Sequence, residues 1–149
     1  MKDRVVAVVV RDGRILMEET HLNGRVFFAA PGGAREEGET PEEAVLRELK
    51  EECGLEGRAA RLLSIVRRRE DEKTREYAFE VSVPEEQEAL LGWDPELPPD
   101  GQIIRGVRWM RLEELSERDR VFLWQYGLMQ VGSFRELVLG WGDDASWPG

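Results

Sequence analysis

The stretch GGAREEGETPEEAVLRELKEECGL, residues 32–55, decides how the rest of the chain is read. Thr40-Pro41-Glu42-Glu43 is a helix start: Thr40 supplies an N-cap oxygen, Pro41 stands where its missing N–H costs nothing, and Glu43 reaches back to close a capping box. Gly54 marks the end of the helix. Val45, Leu46, Leu49 and Cys53 fall at helical spacing and form the stripe that faces the core. Glu48, Glu51 and Glu52 lie at i, i+3 and i+4 on an adjoining face, so three carboxylates are expected to converge within about one turn.

Like charges at i, i+4 repel by roughly 0.2–0.5 kcal/mol in an isolated helix, so Glu48 and Glu52 are a local cost unless something neutralises them. A solvated acidic face is one account of the pattern. A divalent cation is the other. Hard oxygen donors without imidazole or thiolate suit Mg²⁺ or Mn²⁺, whose remaining ligands are commonly water and substrate phosphate. Gly32 and Gly33 let the backbone approach a ligand closely beside the helix. Arg47 is next to Glu48 in sequence but on another face, placed to pair with Glu39 and pin the loop to the helix.

Residues 33–55 match every fixed position of the Nudix box, namely Gly33, Glu39, Arg47, Glu48, Leu49, Glu51, Glu52, Gly54 and Leu55. At residue frequencies of roughly one in fifteen, seven exact matches arise by chance about once in 10⁸ registers. The chain thus resembles the Nudix hydrolase family. The resemblance implies an α+β (α/β) fold, an α/β/α sandwich around a mixed β-sheet with a catalytic loop-helix-loop, in one domain over residues 1–149. It implies hydrolysis of the pyrophosphate linkage of a nucleoside triphosphate or other nucleoside diphosphate derivative, by attack of a metal-activated water on phosphorus.

By the same likeness Glu48, Glu51 and Glu52, with the Gly32 carbonyl, hold the metal. Glu48 and Glu52 are its central ligands, Arg47 and Glu39 support them, and the cofactor is Mg²⁺ with Mn²⁺ as substitute. Gly33, Arg35, Phe28 and Trp93 are the substrate-binding candidates. Many relatives are homodimers, and a homodimer is the corresponding expectation here. Many family members draw an extra acid from just before the Trp of a late strand, yet residues 103–108 contain none and Gly106 stands where such an acid often falls. The general base is then Glu48, the preferred candidate, or an acid of a later loop, Glu85, Glu86 or Glu88.

Outside the box, Val5–Val10 is a continuous β-branched run, and Asp12-Gly13 and Asn23-Gly24 read as hairpin turns. The strand ending at Ala30 stops at Pro31-Gly32-Gly33, leaving three strands before any helix. Residues 61–66 and 77–83 carry strand character and pair as a hairpin. Residues 84–101 hold four prolines, six acids and no base, an irregular loop with a helical turn around Gln87–Leu91. Residues 103–112 return to strand. Beyond them Leu115, Phe122, Leu123, Tyr126 and Met129 suit amphipathic helix, residues 134–139 add a last element, and 142–149 are expected to fray. Phe27 and Phe28 point to opposite faces of their strand, one into the core and one into the cleft. Trp93, in the acidic loop, is a candidate for stacking on a nucleobase, whereas Trp109 reads as core or sheet edge. Cys53, on the apolar stripe, reads as a small core residue.

The 149 residues fit one domain, with a formal charge of −10. Residues 33–55 carry eight acids and three bases, so the acidity concentrates in the box and in the loop 84–101. That balance argues against an extended nucleic acid or an anionic membrane as partner and for a cation site, through which a small anionic ligand can bind; the resemblance makes that ligand a small nucleotide. The one cysteine and one histidine exclude an internal disulfide and a Cys/His zinc site. Without a signal peptide or spanning segment, the expected location is cytoplasmic. The alternatives are a non-catalytic nucleotide-sensing module, which would be expected to lose a box carboxylate and none is lost, and an RNA end-processing enzyme, which would want a basic channel that the acidic balance speaks against while leaving room for a local patch. The spacing downstream of the box carries neither the proline that would suggest ADP-ribose nor the tyrosine that would suggest dinucleoside polyphosphates.

Overall fold

The β-branched run builds β1 (Arg4–Val8) and continues as β2 (Val10–Arg11). Asp12 and Gly13, with φ of 50° and 73°, turn it into β3 (Arg14–Leu22), and Asn23 and Gly24, with φ of 53° and 75°, turn β3 into β4 (Arg25–Ala29). Paired left-handed residues are what a two-residue hairpin needs to match the twist of its strands. The computed structural model describes residues 3–68, 71–92 and 97–139. After β5 (Gly32–Ala34) and helix α1 (Pro41–Cys53) come the long hairpin β6 (Ala59–Arg68) and β7 (Asp71–Ser82), then β8 (Ile104–Met110) and helices α2 (Glu117–Tyr126) and α3 (Gly132–Leu139).

The strands form two sheets. One runs β5-β1-β7-β6 and is mixed, since β1 lies parallel to β7 while its other pairings are antiparallel. The other is antiparallel: β2 and β4 pair with β3, and β8 lies against β3 as well. Side chains alternate across β1, and each face has its own core. Val5, Ala7 and Val9 pack with Val45, Leu49 and Cys53 of α1, while Val6 and Val8 pack with Leu123 and Tyr126 of α2 and Phe134 of α3. Fully burying one such aliphatic side chain stabilises by about 1.5–3 kcal/mol. Helices on both sides make this the α/β/α sandwich with a mixed sheet that the box implies.

Four local expectations are corrected. Gly32 and Gly33 do not end the ladder; they form β5 and pair with β1, so five strands precede α1. An edge strand needs hydrogen bonds on one side only, and Pro31, which has no N–H to give, accepts from the Ala7 N–H at 2.8 Å. Residues 87–91 form no helical turn, since the Gln87 carbonyl is taken by Arg11 and the Leu90 N–H by the end of α1; the short helix of this loop lies at Pro99–Gly101. The hairpin strands β6 and β7 run longer than their apolar cores suggested. Phe122 is 46% exposed, since Asp119, Leu123 and Tyr126 form the inward stripe of α2. Residues 142–149 lie outside the described residues.

Candidate active site

Helix α1 is specified locally. Thr40 accepts from the Glu43 N–H and Glu43 from the Thr40 N–H, each at 3.1 Å, and Gly54 closes the helix in the left-handed region. Arg47 ties it to the preceding loop. Its guanidinium grips Glu39 bidentately, Nε to Oε2 at 2.6 Å and a terminal nitrogen to Oε1 at 3.0 Å, and donates to the Ala34 carbonyl at 3.1 Å. That pairing holds Glu39 below the ordinary carboxylate range and Arg47 above its own. The same guanidinium also reaches Glu48 at 3.1 Å and Glu51 at 3.2 Å.

The three box carboxylates line one cavity of about 380 Å³, together with Arg47, Leu91 and Gln102. They are not gathered about a single point, and among the described residues no three ligating side chains are. Within the shared cavity the carboxylates divide between two partners. Arg47 holds Glu48 and Glu51, and Glu52 Oε1 accepts the Gly32 N–H at 3.0 Å. Gly33 has a steric role. A side chain there would place its Cβ 2.5 Å from Glu48 Oε1, so the Glu48 carboxylate occupies the space that glycine leaves.

A fourth carboxylate completes the site. Glu18, on β3, is 4% exposed and accepts from the Cys53 thiol at 3.7 Å. It faces Glu52 closely enough for hydrogen bonding, and among the described residues neither has a Lys, Arg or His partner. Burial pushes Glu52 up to about 9, with the charges of Glu18 and Glu48 adding to it, and pushes Glu18 up to about 7. Burial also lifts Glu48, against the pull of Arg47, and keeps the Cys53 thiol protonated. An all-oxygen donor set, a glycine cradle and two facing carboxyls without a neutralising side chain fit a hard divalent cation.

Past Glu52, Ile103 and Ile104 the first cavity adjoins a second of about 480 Å³, bordered by Met17, Phe27, Phe28, Phe122 and Tyr126. Both Phe27 and Phe28 border it, rather than one alone. Asp119 of α2, only 6% exposed, lines it too; its Oδ2 accepts the Phe28 N–H at 3.0 Å, and among the described residues no group pairs with its other oxygen. Glu18 and Asp119 were missed in the sequence. A carboxylate directly after Ile15-Leu16-Met17 was a signal for the first, whereas Asp119 read only as a helix-start acid. Arg35 lines neither cavity, being held by the Glu39 carbonyl at 2.8 Å and Asp3 at 3.5 Å. Trp93 lies outside the described residues. Glu85, Glu86 and Glu88 are exposed and line neither cavity.

A family model for the NUDIX domain matches residues 1–130. The chain belongs to that family. It is 34% identical over 87 residues, 58% of this chain and 49% of the relative, to the diphosphoinositol polyphosphate phosphohydrolase 3-alpha of Mus musculus. It is 44% identical over 62 residues, 41% of this chain and 37% of the relative, to the ADP-ribose pyrophosphatase of Methanocaldococcus jannaschii. Thus the chain spans about half the length, or less, of these curated relatives. Among solved structures it is similar to the MutT NUDIX hydrolase of Burkholderia pseudomallei, with a TM-score of 0.63, 26% identity, and coverage of 83% of this chain and 96% of that one.

Proposed function

We propose that the protein is a divalent-cation-dependent pyrophosphohydrolase acting on a nucleoside diphosphate derivative. The observation that carries this reading is the junction at Glu52: a carboxylate-lined cavity that fits a cation and phosphates opens beside an aromatic-lined cavity that fits a planar base. Glu48, Glu51 and Glu52, with the Gly32 carbonyl, would hold Mg²⁺ or Mn²⁺. The cation supplies Lewis acidity toward water and the phosphate oxygens. Glu48 takes the proton of the attacking water, whose oxygen bonds to phosphorus as the bridging P–O bond breaks and the leaving phosphate departs with its electron pair. Burial makes Glu48 a stronger base than an ordinary carboxylate, and the exposed acids at 85, 86 and 88 offer no competing group in the cavity. Arg47 and Glu39 orient the loop and helix, and Arg47 donates to the Glu48 carboxylate itself.

The relatives' names point to different substrates, and the second cavity favours one class. A polyphosphorylated inositol calls for a ring of cations. Here Arg4 and Arg118 stand among Glu18, Glu76 and Asp119, and the remaining lining is largely apolar, which suits a nucleoside. Nucleotide derivatives and a diphosphoinositol polyphosphate are to be screened with Mg²⁺, with mass detection of both products. Nucleoside monophosphate release is expected, and Glu52→Gln should abolish it without loss of fold. Undiminished turnover by that variant would refute the site, and turnover of the inositol compound alone would refute the substrate class.

A further inference from the structure

Residues 84–92 form an arm that crosses from β7 to the end of α1. At one end, Arg11 of β2 lies over the Trp109 ring at 4.4 Å and donates to the Pro84 and Gln87 carbonyls at 2.7 and 2.8 Å. The Gln87 side chain accepts the Glu56 N–H at 2.9 Å. At the other end, the Leu90 N–H bonds the Cys53 carbonyl at 2.7 Å and the Gly92 N–H bonds the Glu52 carbonyl at 2.8 Å. These are two of the carbonyls that a helix end leaves without an internal partner, and they belong to the turn that carries the box carboxylates. No side chain fits at position 92, because its Cβ would sink into the Glu51 carbonyl oxygen. Leu91 and Gly92 then line the cavity beside Glu51 and Glu52.

We propose that Gly92 is a positioning residue for the cation centre: the arm, clamped by Arg11 and seated on the end of α1 through Gly92, holds the turn bearing Glu51 and Glu52 in register with Gly32. The inference rests on the proposed cation-dependent function. A Cβ at position 92 must push the arm off the helix end or rotate that turn. Displacements of about 1 Å in a catalytic constellation cost on the order of a hundredfold.

The test is Mn²⁺ binding to the full chain, read by the electron paramagnetic resonance of free Mn²⁺, for wild type, Gly92→Ala and Arg11→Ala. Both variants should raise the Kd at least fivefold with the circular dichroism spectrum retained, Gly92→Ala more strongly. A purely structural arm would lower the unfolding midpoint and leave the Kd within twofold of wild type, which overturns the proposal. If Gly92→Ala does not fold, Arg11→Ala decides alone, since Arg11 lines no part of the cavity. Wild-type protein that binds no Mn²⁺ overturns the functional reading itself, an outcome distinct from variants that bind it normally.

Discussion

Glu18→Gln should stabilise the cation-free protein at pH 8 and leave it nearly unchanged at pH 5. In the unfolded chain this carboxyl titrates near its ordinary value of 4.5; in the folded protein burial holds it at about 7 and Glu52 at about 9. Between those values the native state binds protons that the unfolded state has released, so stability falls as pH rises. The burial is therefore harmless below pH 4.5, and its cost grows through 4.5–7 for Glu18 and on toward 9 for Glu52. At about 1.4 kcal/mol per pKa unit, the cost falls on the Glu18–Glu52 pair as a unit and is on the order of a few kcal/mol once the pH exceeds the lower folded value. A glutamine of the same shape carries no charge and donates its amide to Glu52. Urea unfolding at 25 °C in EDTA, at pH 5 and pH 8, reads the difference. The variant should exceed wild type by about 2–3 kcal/mol at pH 8. Millimolar Mg²⁺ should raise the wild-type midpoint, since a ligand at a hundred times its Kd adds about 2.7 kcal/mol. A variant no more stable than wild type at pH 8, or a gap of equal size at both pH values, would refute the account of the pair.

Arg47→Ala removes the bidentate grip on Glu39 and the partner of Glu48, and should cost about 3 kcal/mol of unfolding free energy, or roughly 10 °C in Tm; a loss below about 1 kcal/mol would show that the loop does not depend on it. Asp119→Asn keeps an oxygen to accept the Phe28 N–H but turns the atom facing the second cavity from acceptor to donor. It should raise KM for the preferred nucleotide at least tenfold with kcat within about threefold, and unchanged KM would remove Asp119 from substrate recognition.

What could be read in advance was what is fixed by neighbours in the chain. Thr40, Pro41, Glu43 and Gly54 specify α1 within its own turns, and the two hairpins are set by Asp12-Gly13 and Asn23-Gly24. The grip of Arg47 on Glu39, eight residues back, was legible for the same reason. The interactions that escaped are long in sequence: Arg11 to the arm spans 73 and 76 residues, and Asp119 to the Phe28 N–H spans 91. Their partners are chosen by sheet order, which no local pattern encodes.

Glu18 is the instructive case. Ile15, Leu16, Met17 and Glu18 are buried in succession, without the alternation of a half-exposed strand. The cause is the place of β3, flanked by β4 along one edge and β8 along the other, with Ile15 and Met17 turned to one core and Leu16 to the other. On that strand Glu18 is interior, whereas the next acid, Glu19, is half-buried beside His21, and an interior carboxylate without a basic partner is unstable unless it shares a proton or faces a cation. The short run Ile15-Leu16-Met17 therefore held the clue. In β3 these three apolar residues lie in the central strand of their sheet, and the acid that follows them stands against Glu52.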